Sequence, residues 1–149
     1  MAIQNILVSV DLSESSAAVL RYGQMLAAAF HCRLQVLYVT ESPHLTPGAV
    51  ELWDFSLPEL VQKLERAAEE QVASFLADCE QPDLDIEQVF RVGKPAVEIA
   101  LYAKETAADL LVVGTHGRSG LTHALLGSVA EKVIRNAPCP VITVRSAPE

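Results

Sequence analysis

The amino-acid sequence predicts a single α/β domain built on a doubly wound parallel sheet, and three observations lead to that fold class. The chain has 149 residues, 50% of them hydrophobic and 20% charged, which suits one globular domain with a substantial core. Short, nearly continuous apolar runs recur along it, as expected of strands covered on both faces. Helical stretches separate the runs in the order β, α, β, loop, α, β, α, β, α, β, which predicts right-handed crossovers. We therefore expect one domain over residues 1–149.

Five runs are predicted to be strands. Four of them are almost entirely apolar, at residues 6–10, 34–39, 110–113 and 141–144. The fifth, at residues 87–92, mixes apolar and polar side chains, which favours a strand at the edge of the sheet. The last run in the chain should also form an edge strand. Because an exposed apolar edge promotes association unless it is paired, we expect that strand to take part in subunit contacts.

The helical stretches carry start and stop signals. Ser13 or Ser15 can cap the first helix. Apolar residues at three- and four-residue steps predict a second helix over residues 60–76. Pro95 stands where a first helical residue is expected in the third helix. The fourth helix is predicted over residues 129–136. A Pro-Cys-Pro sequence follows and prevents the helix from continuing.

Composition and charge exclude several classes of function. A pI near 4.9 and a formal charge of −8 argue against a nucleic acid partner, because phosphate backbones need a basic surface. No apolar run approaches the ~20 residues of a membrane span. The N-terminus lacks the basic and apolar stretches of a signal peptide, so we expect a cytoplasmic protein. Neither a disulfide framework nor a zinc site is expected from the three widely separated cysteines, Cys32, Cys79 and Cys139.

The strongest functional signal lies between the fourth strand and the last helix. Gly114 follows the strand, Gly117 comes three residues later, and Gly127 and Ser128 directly precede the helix. Glycines let main-chain N–H groups approach an anion, and a helix start adds unpaired donors and about half a unit of positive charge. This stretch contains no Asp or Glu, and its only permanent cation is Arg118. The pattern predicts a phosphate site.

Each candidate residue also has a simpler interpretation. Asp11 follows the first strand and could be only a turn residue or a cap for the next helix. The glycines could serve turns alone, Ser128 could be only an N-cap, and Arg118 could be a solvated surface residue. The histidines at 116 and 123 have no metal-site spacing and no nearby carboxylate, so we expect neither metal binding nor catalysis from them.

The chain resembles the universal stress proteins over almost its whole length. The resemblance rests on four stretches, namely residues 6–11, 92–95, 112–128 and 137–145. The third contains the pattern Gly, two residues, Gly, nine residues, Gly, then Ser or Thr, which in this family marks the members that bind ATP. Its positions are filled by Gly114, Gly117, Gly127 and Ser128. The resemblance implies a Rossmann-like fold with a five-stranded parallel sheet and helices on both faces.

The resemblance further implies that a nucleotide lies across the carboxyl ends of the first and fourth strands, where strand order reverses. Its adenosine would contact Val10 and Asp11, and its adenine would lie against Val39. Its ribose and phosphates would lie near Gly114, Thr115, Gly117 and Arg118. The start of the last helix would present Gly127, Ser128 and Val129 to the phosphates. The chain departs from the family at Leu12, where many members have glycine, and the Cβ of this leucine is expected to narrow the turn.

The function implied by the resemblance is that of an ATP-binding regulator or sensor in the stress response. Mg²⁺ or Mn²⁺ would be held mainly by the phosphates, and the protein would form a homodimer through the last strand, that is Val141, Ile142, Thr143 and Val144. AMP, cyclic AMP or another adenine derivative remains an open alternative to ATP.

Three other classes of function fit the sequence less well. The first is an ATPase or phosphotransferase. The chain has no Walker lysine, and the glycine-containing stretch supplies no carboxylate, so we expect hydrolysis to be slow at most. The second, a dinucleotide oxidoreductase, would need a glycine-rich turn after the first strand, and residues 10–13 contain no glycine. The intact glycine pattern argues against the third, an interaction module without nucleotide.

Overall fold

The computed structural model describes residues 2–41, 57–79, 84–115 and 126–145. In these ranges the chain forms five strands and four helices, and each strand agrees with its predicted run to within one residue at either end. The elements in chain order are β1 (Asn5–Val10), α1 (Glu14–Phe30), β2 (Arg33–Thr40), α2 (Leu57–Ala77), β3 (Ile86–Val92), α3 (Pro95–Glu105), β4 (Leu110–Gly114), α4 (Ser128–Asn136) and β5 (Val141–Val144).

The five strands form one parallel sheet in the order β3-β2-β1-β4-β5. Val8 of β1 lies level with Val36 of β2 on one side and with Val112 of β4 on the other. Strand order therefore reverses between β1 and β4, which confirms the doubly wound sheet. Both β3 and β5 lie at its edges, as predicted.

The core consists of two clusters, one on each face of the sheet. Val8 faces the cluster formed with α1 and α2, and its neighbour Leu7 faces the cluster formed with α3 and α4. Both residues are fully buried. This coverage of both faces explains why the central strands are apolar at consecutive positions instead of alternating.

Helix α1 lies unusually close to β1 at Gly23. A Cβ built on this glycine would lie only 2.2 Å from Cγ2 of Val8, a distance that carbon atoms in contact do not reach. Since valine is a stiff, branched side chain, Val8 cannot move aside cheaply. Glycine at position 23 therefore sets the spacing between the helix and the strand.

A buried polar contact holds α3 against the sheet on the opposite face. Gln35, 2% exposed, donates through Nε2 to a carboxylate oxygen of Glu87 at 2.7 Å and to the hydroxyl of Tyr102 at 2.9 Å. Burial first, and the Glu87 carboxylate second, raise the pKa of Tyr102 above its usual value. The hydrogen bonds connect β2, β3 and α3, and thereby fix the helix that supplies one wall of the cavity described below.

The helix ends agree with the predicted signals at three of four points. Ser13 occupies the N-cap position of α1, and Pro95 begins α3. Helix α4 ends at Asn136, directly before the Pro-Cys-Pro sequence. The interpretation of Ser128 as an N-cap is wrong, because Gly127 is the N-cap of α4 and Ser128 is its first helical residue.

No helix in the described part of the chain is long and apolar enough to cross a bilayer. The three cysteines are free and partly buried. Burial, and more weakly the Asp109 carboxylate, raise the pKa of the Cys32 and Cys139 thiols, which lowers their nucleophilicity at neutral pH.

Candidate functional site

A cavity of about 310 Å³ opens at the carboxyl ends of β1, β2 and β4, where strand order reverses. Ligands of doubly wound sheets are expected at this position, and the volume lies at the lower end of the range for small-molecule sites. The first turns of α1, α3 and α4 complete its walls.

The structure brings together every predicted site residue that falls in its described ranges. These eight residues all line the cavity: Val10, Asp11, Val39, Gly114, Thr115, Gly127, Ser128 and Val129. Gly117 and Arg118 lie outside the described residues, so their predicted contacts stay predictions. The shared location fits a common ligand, and the role of each residue toward it is a proposal.

One end of the cavity is formed by main chain where β4 meets α4. The N–H of Thr115 donates to the carbonyl of Val144 at 3.0 Å, which continues the ladder between β4 and β5. The carbonyl of Thr115 accepts a hydrogen bond from the N–H of Gly127 at 2.7 Å. This bond places the start of α4 directly beside the end of β4, although eleven residues separate the two groups in the chain.

The start of α4 directs main-chain donors at the cavity. The Gly127 carbonyl accepts the first helical bond, from the N–H of Glu131 at 2.9 Å. The three N–H groups between these two residues, at Ser128, Val129 and Ala130, have no acceptor within an α-helix. All three residues line the cavity. The N-cap residue, Gly127, has no side chain that could cap these donors. With Gly114, Thr115 and Gly127 they form what we call the amide end of the cavity, which suits an anion.

The backbone of Gly127, the N-cap of α4, does not require the conformational freedom of glycine. Its φ of −59° and ψ of 148° are open to any residue. Gly127 itself lines the cavity. Any other residue can therefore be introduced here without backbone strain, and its effect on ligand binding is a prediction.

The turn after β1 is built from side chains instead. Oδ1 of Asp11 accepts hydrogen bonds from the N–H of Ser13 at 3.0 Å, from the Ser13 hydroxyl, and from the Ser16 hydroxyl at 2.7 Å. The Ser16 hydroxyl in turn accepts the N–H of Asp11 at 2.9 Å. Because the single hydroxyl proton of Ser13 goes to Asp11, the hydroxyl of Ser15 is the donor in its 2.7 Å contact with Ser13. Asp11 thus does act as a turn residue, in addition to lining the cavity.

Leu12 adopts a left-handed backbone conformation, with φ at 63°. Glycine accepts this conformation freely, whereas an L-amino acid residue loses roughly 1–2 kcal/mol. The Leu12 side chain packs against the core cluster of α1 and α2 and is not among the residues that line the cavity. The departure at this position therefore affects the backbone of the turn more than the space for a ligand.

The main residue that the sequence analysis missed is Glu41. It follows β2 directly and lines the cavity. Asp11 and Glu41, at the ends of two neighbouring strands, form what we call the carboxylate end. Among the described lining residues there is no Lys, Arg or His. The acid-free stretch of sequence thus describes only the amide end. The signal available for Glu41 was its place just past a predicted strand, because carboxyl ends of parallel strands share one edge.

Helix α3 supplies two more lining residues that the sequence did not indicate, Pro95 and Ile99. The hydrogen bond from the N–H of Gly93 to the carbonyl of Thr40, at 2.9 Å, holds the start of this helix beside the end of β2. Among the described residues no group of three His, Cys, Asp or Glu side chains could hold a metal ion. The cavity therefore combines an apolar wall with one acidic end and one end rich in N–H donors.

Comparison with known proteins, by sequence and by structure, shows which family the chain resembles. The model of the universal stress protein family matches residues 2–145. Universal stress protein MJ0531 of Methanocaldococcus jannaschii is 34% identical over 143 residues, covering 95% of this chain and 82% of the relative. Protein MJ0577 of the same organism superposes with a TM-score of 0.83 at 26% identity, covering all of both chains. A universal stress protein solved in complex with cAMP has a TM-score of 0.59 at 32% identity, covering 97% of this chain and 98% of that one.

Proposed function

Because the chain belongs to the universal stress protein family, we propose that it binds an adenine nucleotide, with ATP as the main ligand, and acts as a cytoplasmic regulator or sensor in the stress response. The observation that carries this proposal is the amide end of the cavity. Three consecutive N–H groups without a helical acceptor meet there in front of a helix start, beside the end of a buried strand.

The two ends of the cavity suggest how the nucleotide is oriented. Its phosphates would lie at the amide end, against Gly114, Thr115 and the first turn of α4. Its adenosine would lie over the ends of β1 and β2, near Val10 and Val39, with Asp11 and Glu41 as acceptors for its N–H and O–H groups. The opposite orientation would bring the phosphates against two carboxylates, which is electrostatically unfavourable.

Magnesium or manganese would accompany ATP as a partner of its phosphates. The residues that would hold the nucleotide are main-chain donors at the amide end, and the described residues contain no carboxylate cluster for a protein-held ion. When bound, the ion would neutralise part of the phosphate charge. The solved relative in complex with cAMP supports an adenine nucleotide as the ligand class.

The proposal is tested by identifying what the protein binds. Recombinant protein is denatured and the released small molecules are analysed by mass spectrometry, and the purified protein is titrated with ATP, AMP and cAMP by calorimetry in the presence of Mg²⁺. We expect an adenine nucleotide among the released molecules and saturable binding that is tightest for ATP. Absence of both a co-purified nucleotide and any heat or thermal-shift response at millimolar nucleotide would contradict the proposal.

A turnover assay separates the regulator from an ATPase. The two carboxylates of the cavity belong to the ends of β1 and β2, and β2 lies two strand spacings, about 10 Å, from β4. In the proposed orientation Glu41 lies too far from the terminal phosphate to activate water, and the carboxylate of Asp11, on β1 beside β4, is engaged by three hydrogen bonds of its own turn. We therefore expect single-turnover hydrolysis far below 1 s⁻¹, and a rate on the order of 1 s⁻¹ or more would favour the enzyme.

We further propose that the protein forms a homodimer through β5. The bonds from Leu111 and Thr115 N–H to the carbonyls of Pro140 and Val144 fix the alternation of this strand, so the N–H and C=O of Thr143 point away from β4. Thr143 is exposed, whereas Val144 is a core residue at 5% exposure. Thr143→Pro removes the outward donor and should shift the protein toward monomer in sedimentation. An unchanged dimer would contradict this interface.

A further inference from the structure

The two carboxylates of the cavity differ in how far they are already engaged. Oδ1 of Asp11 receives three hydrogen bonds from the residues of its own turn, and these bonds fix the carboxylate in place. Glu41 forms no hydrogen bond or ion pair with the described part of the chain. Its side chain is exposed at the edge of the cavity that it lines. With respect to the described residues, the acceptor positions of Glu41 are thus not occupied.

The main chain directly before Glu41 is held in place by the sheet. The carbonyl directly before it, that of Thr40, accepts the N–H of Gly93 at 2.9 Å. This bond extends the pairing of β2 and β3 to the last residue before Glu41. The carboxylate is thus attached to a fixed point on the rim, and only its side-chain torsions must be ordered when a ligand binds.

Electrostatics restricts what this carboxylate can meet. With Asp11 it gives the described lining two acidic side chains and no basic one, and β2 lies about 10 Å from β4 and its amide end. An anionic group is repelled at the carboxylate end and attracted at the amide end. A ligand that fills the cavity must therefore carry negative charge at one end and hydrogen-bond donors at the other.

We propose that Glu41 is a specificity-determining residue that accepts hydrogen bonds from the nucleoside part of the ligand, that is from its ribose hydroxyls or its exocyclic amine. This role rests on the proposed nucleotide function and adds a residue that the resemblance does not include. Asp11 maintains the turn, and Glu41 selects ligands that present donors at the mouth of the cavity. A hydrogen bond to an ionised carboxylate is among the stronger ones available at such a position.

The proposal predicts an unusual sign for a charge-removing substitution. If Glu41 only lay near a polyphosphate, Glu41→Gln would remove a repulsion, and affinity for ATP would stay constant or rise. If Glu41 accepts hydrogen bonds from the nucleoside, the same substitution should weaken ATP binding about tenfold. The direction of the change in ATP affinity thus distinguishes a hydrogen bond between Glu41 and the nucleoside from simple electrostatic repulsion of the phosphates.

The experiment is calorimetry at fixed ionic strength on the full chain, with the wild type, Glu41→Gln and the control Glu69→Gln. Glu69 is an exposed residue of α2 that does not line the cavity, so the control removes the same charge elsewhere. Each protein is titrated with ATP, with 2′,3′-dideoxy-ATP, which lacks both ribose hydroxyls, and with ITP, which lacks the exocyclic amine. Thermal denaturation verifies that both variants are folded.

We expect the wild type and Glu69→Gln to prefer ATP over at least one analogue by about tenfold, and Glu41→Gln to lose that preference to within about twofold. The analogue whose disadvantage disappears identifies the donor that Glu41 meets. Unchanged or stronger ATP binding by Glu41→Gln overturns the proposal, and so does an equal loss for all three nucleotides. Failure of the wild type to bind any of them contradicts the proposed function itself.

Discussion

The two ends of the cavity are built from different parts of the chain. The amide end is formed by main-chain groups. The carbonyl of Thr115 accepts the N–H of Gly127 and so joins β4 to α4, and the residues of the first turn of α4 line the cavity. At the carboxylate end, the turn is held by side chains, with Asp11 and Ser16 bonded to one another in both directions. We therefore expect substitutions at the amide end to change ligand affinity and substitutions at the carboxylate end to change the free energy of unfolding.

A main-chain site is sensitive to added atoms, and a side-chain site is sensitive to removed ones. We expect a new Cβ at Gly127 to occupy ligand space while the backbone keeps its conformation. A deleted hydroxyl at the carboxylate end leaves partly buried partners without a hydrogen bond and should weaken the fold. We therefore expect binding defects from the first kind of change and stability defects from the second.

The largest effect is expected from Ser16→Ala. Ser16 is 3% exposed, and its hydroxyl both donates to the Asp11 carboxylate and accepts the Asp11 N–H. Its loss should lower the free energy of unfolding by about 2 kcal/mol, as measured by urea denaturation. The matched control is Ser74→Ala on the exposed face of α2, which should change stability by less than about 0.5 kcal/mol. Equal effects of the two variants would show that the turn is not held in this way.

Next in size is Gly127→Val, which should weaken ATP binding at least tenfold, or about 1.4 kcal/mol, in calorimetry. The backbone conformation of Gly127 is accessible to valine, so the free energy of unfolding should change by no more than about 1 kcal/mol. Gly127→Ala provides a graded control, with an intermediate loss because its side chain is smaller. Full affinity in the valine variant would remove the amide end from the phosphate site.

A smaller effect is expected from Arg118→Gln, since main-chain donors and not a cationic side chain are proposed to hold the phosphates. We expect a loss of about threefold in ATP affinity, the size of an exposed ion pair. Arg66→Gln on the exposed surface of α2 removes the same charge away from the cavity and should have almost no effect. A loss from Arg118→Gln that exceeds the loss from Gly127→Val would reverse the comparison between main chain and side chain.

Leu12→Gly should have the smallest effect on binding, within about twofold of the wild-type affinity. The Leu12 side chain packs against the core cluster and does not line the cavity. Its removal gives up some buried apolar surface, while the relief of the left-handed strain, about 1 kcal/mol, offsets part of that loss. A tenfold gain in affinity, measured by the same titration, would mean that the Cβ narrows the nucleotide site after all.

The sequence predicted the amide end far better than the carboxylate end, and the reason is physical. The amide end is formed where one strand leads through a glycine-containing stretch to one helix, so its residues follow a spacing that can be recognised. The predicted strands were accurate because coverage on both faces leaves long apolar runs. Glu41 and Ile99 come from other segments, and a single acid after a strand or an apolar residue in a helix has no such spacing.

Details that depend on side-chain direction were also beyond the sequence. The simpler interpretation of Ser128 as an N-cap was off by one residue, because both serine and glycine occur at N-caps and the two are adjacent here. Asp11 could be a turn residue or a ligand contact on sequence grounds, and only the coordinates reveal the three hydrogen bonds of its Oδ1. Leu12 was recognised as unusual from the resemblance, but its packing against the core was not.

Gly23 has a consequence for how tolerance to mutation should be interpreted in this chain. Alanine, the smallest chiral residue, already exceeds the space between α1 and Val8, so a saturation mutagenesis screen should register this position as highly restricted. Yet Gly23 does not line the cavity, unlike Gly114 and Gly127. A glycine in this protein can thus resist substitution for two reasons, tight packing in the fold or contact with the ligand. Only a binding assay on folded variants shows which of the two applies at a given position.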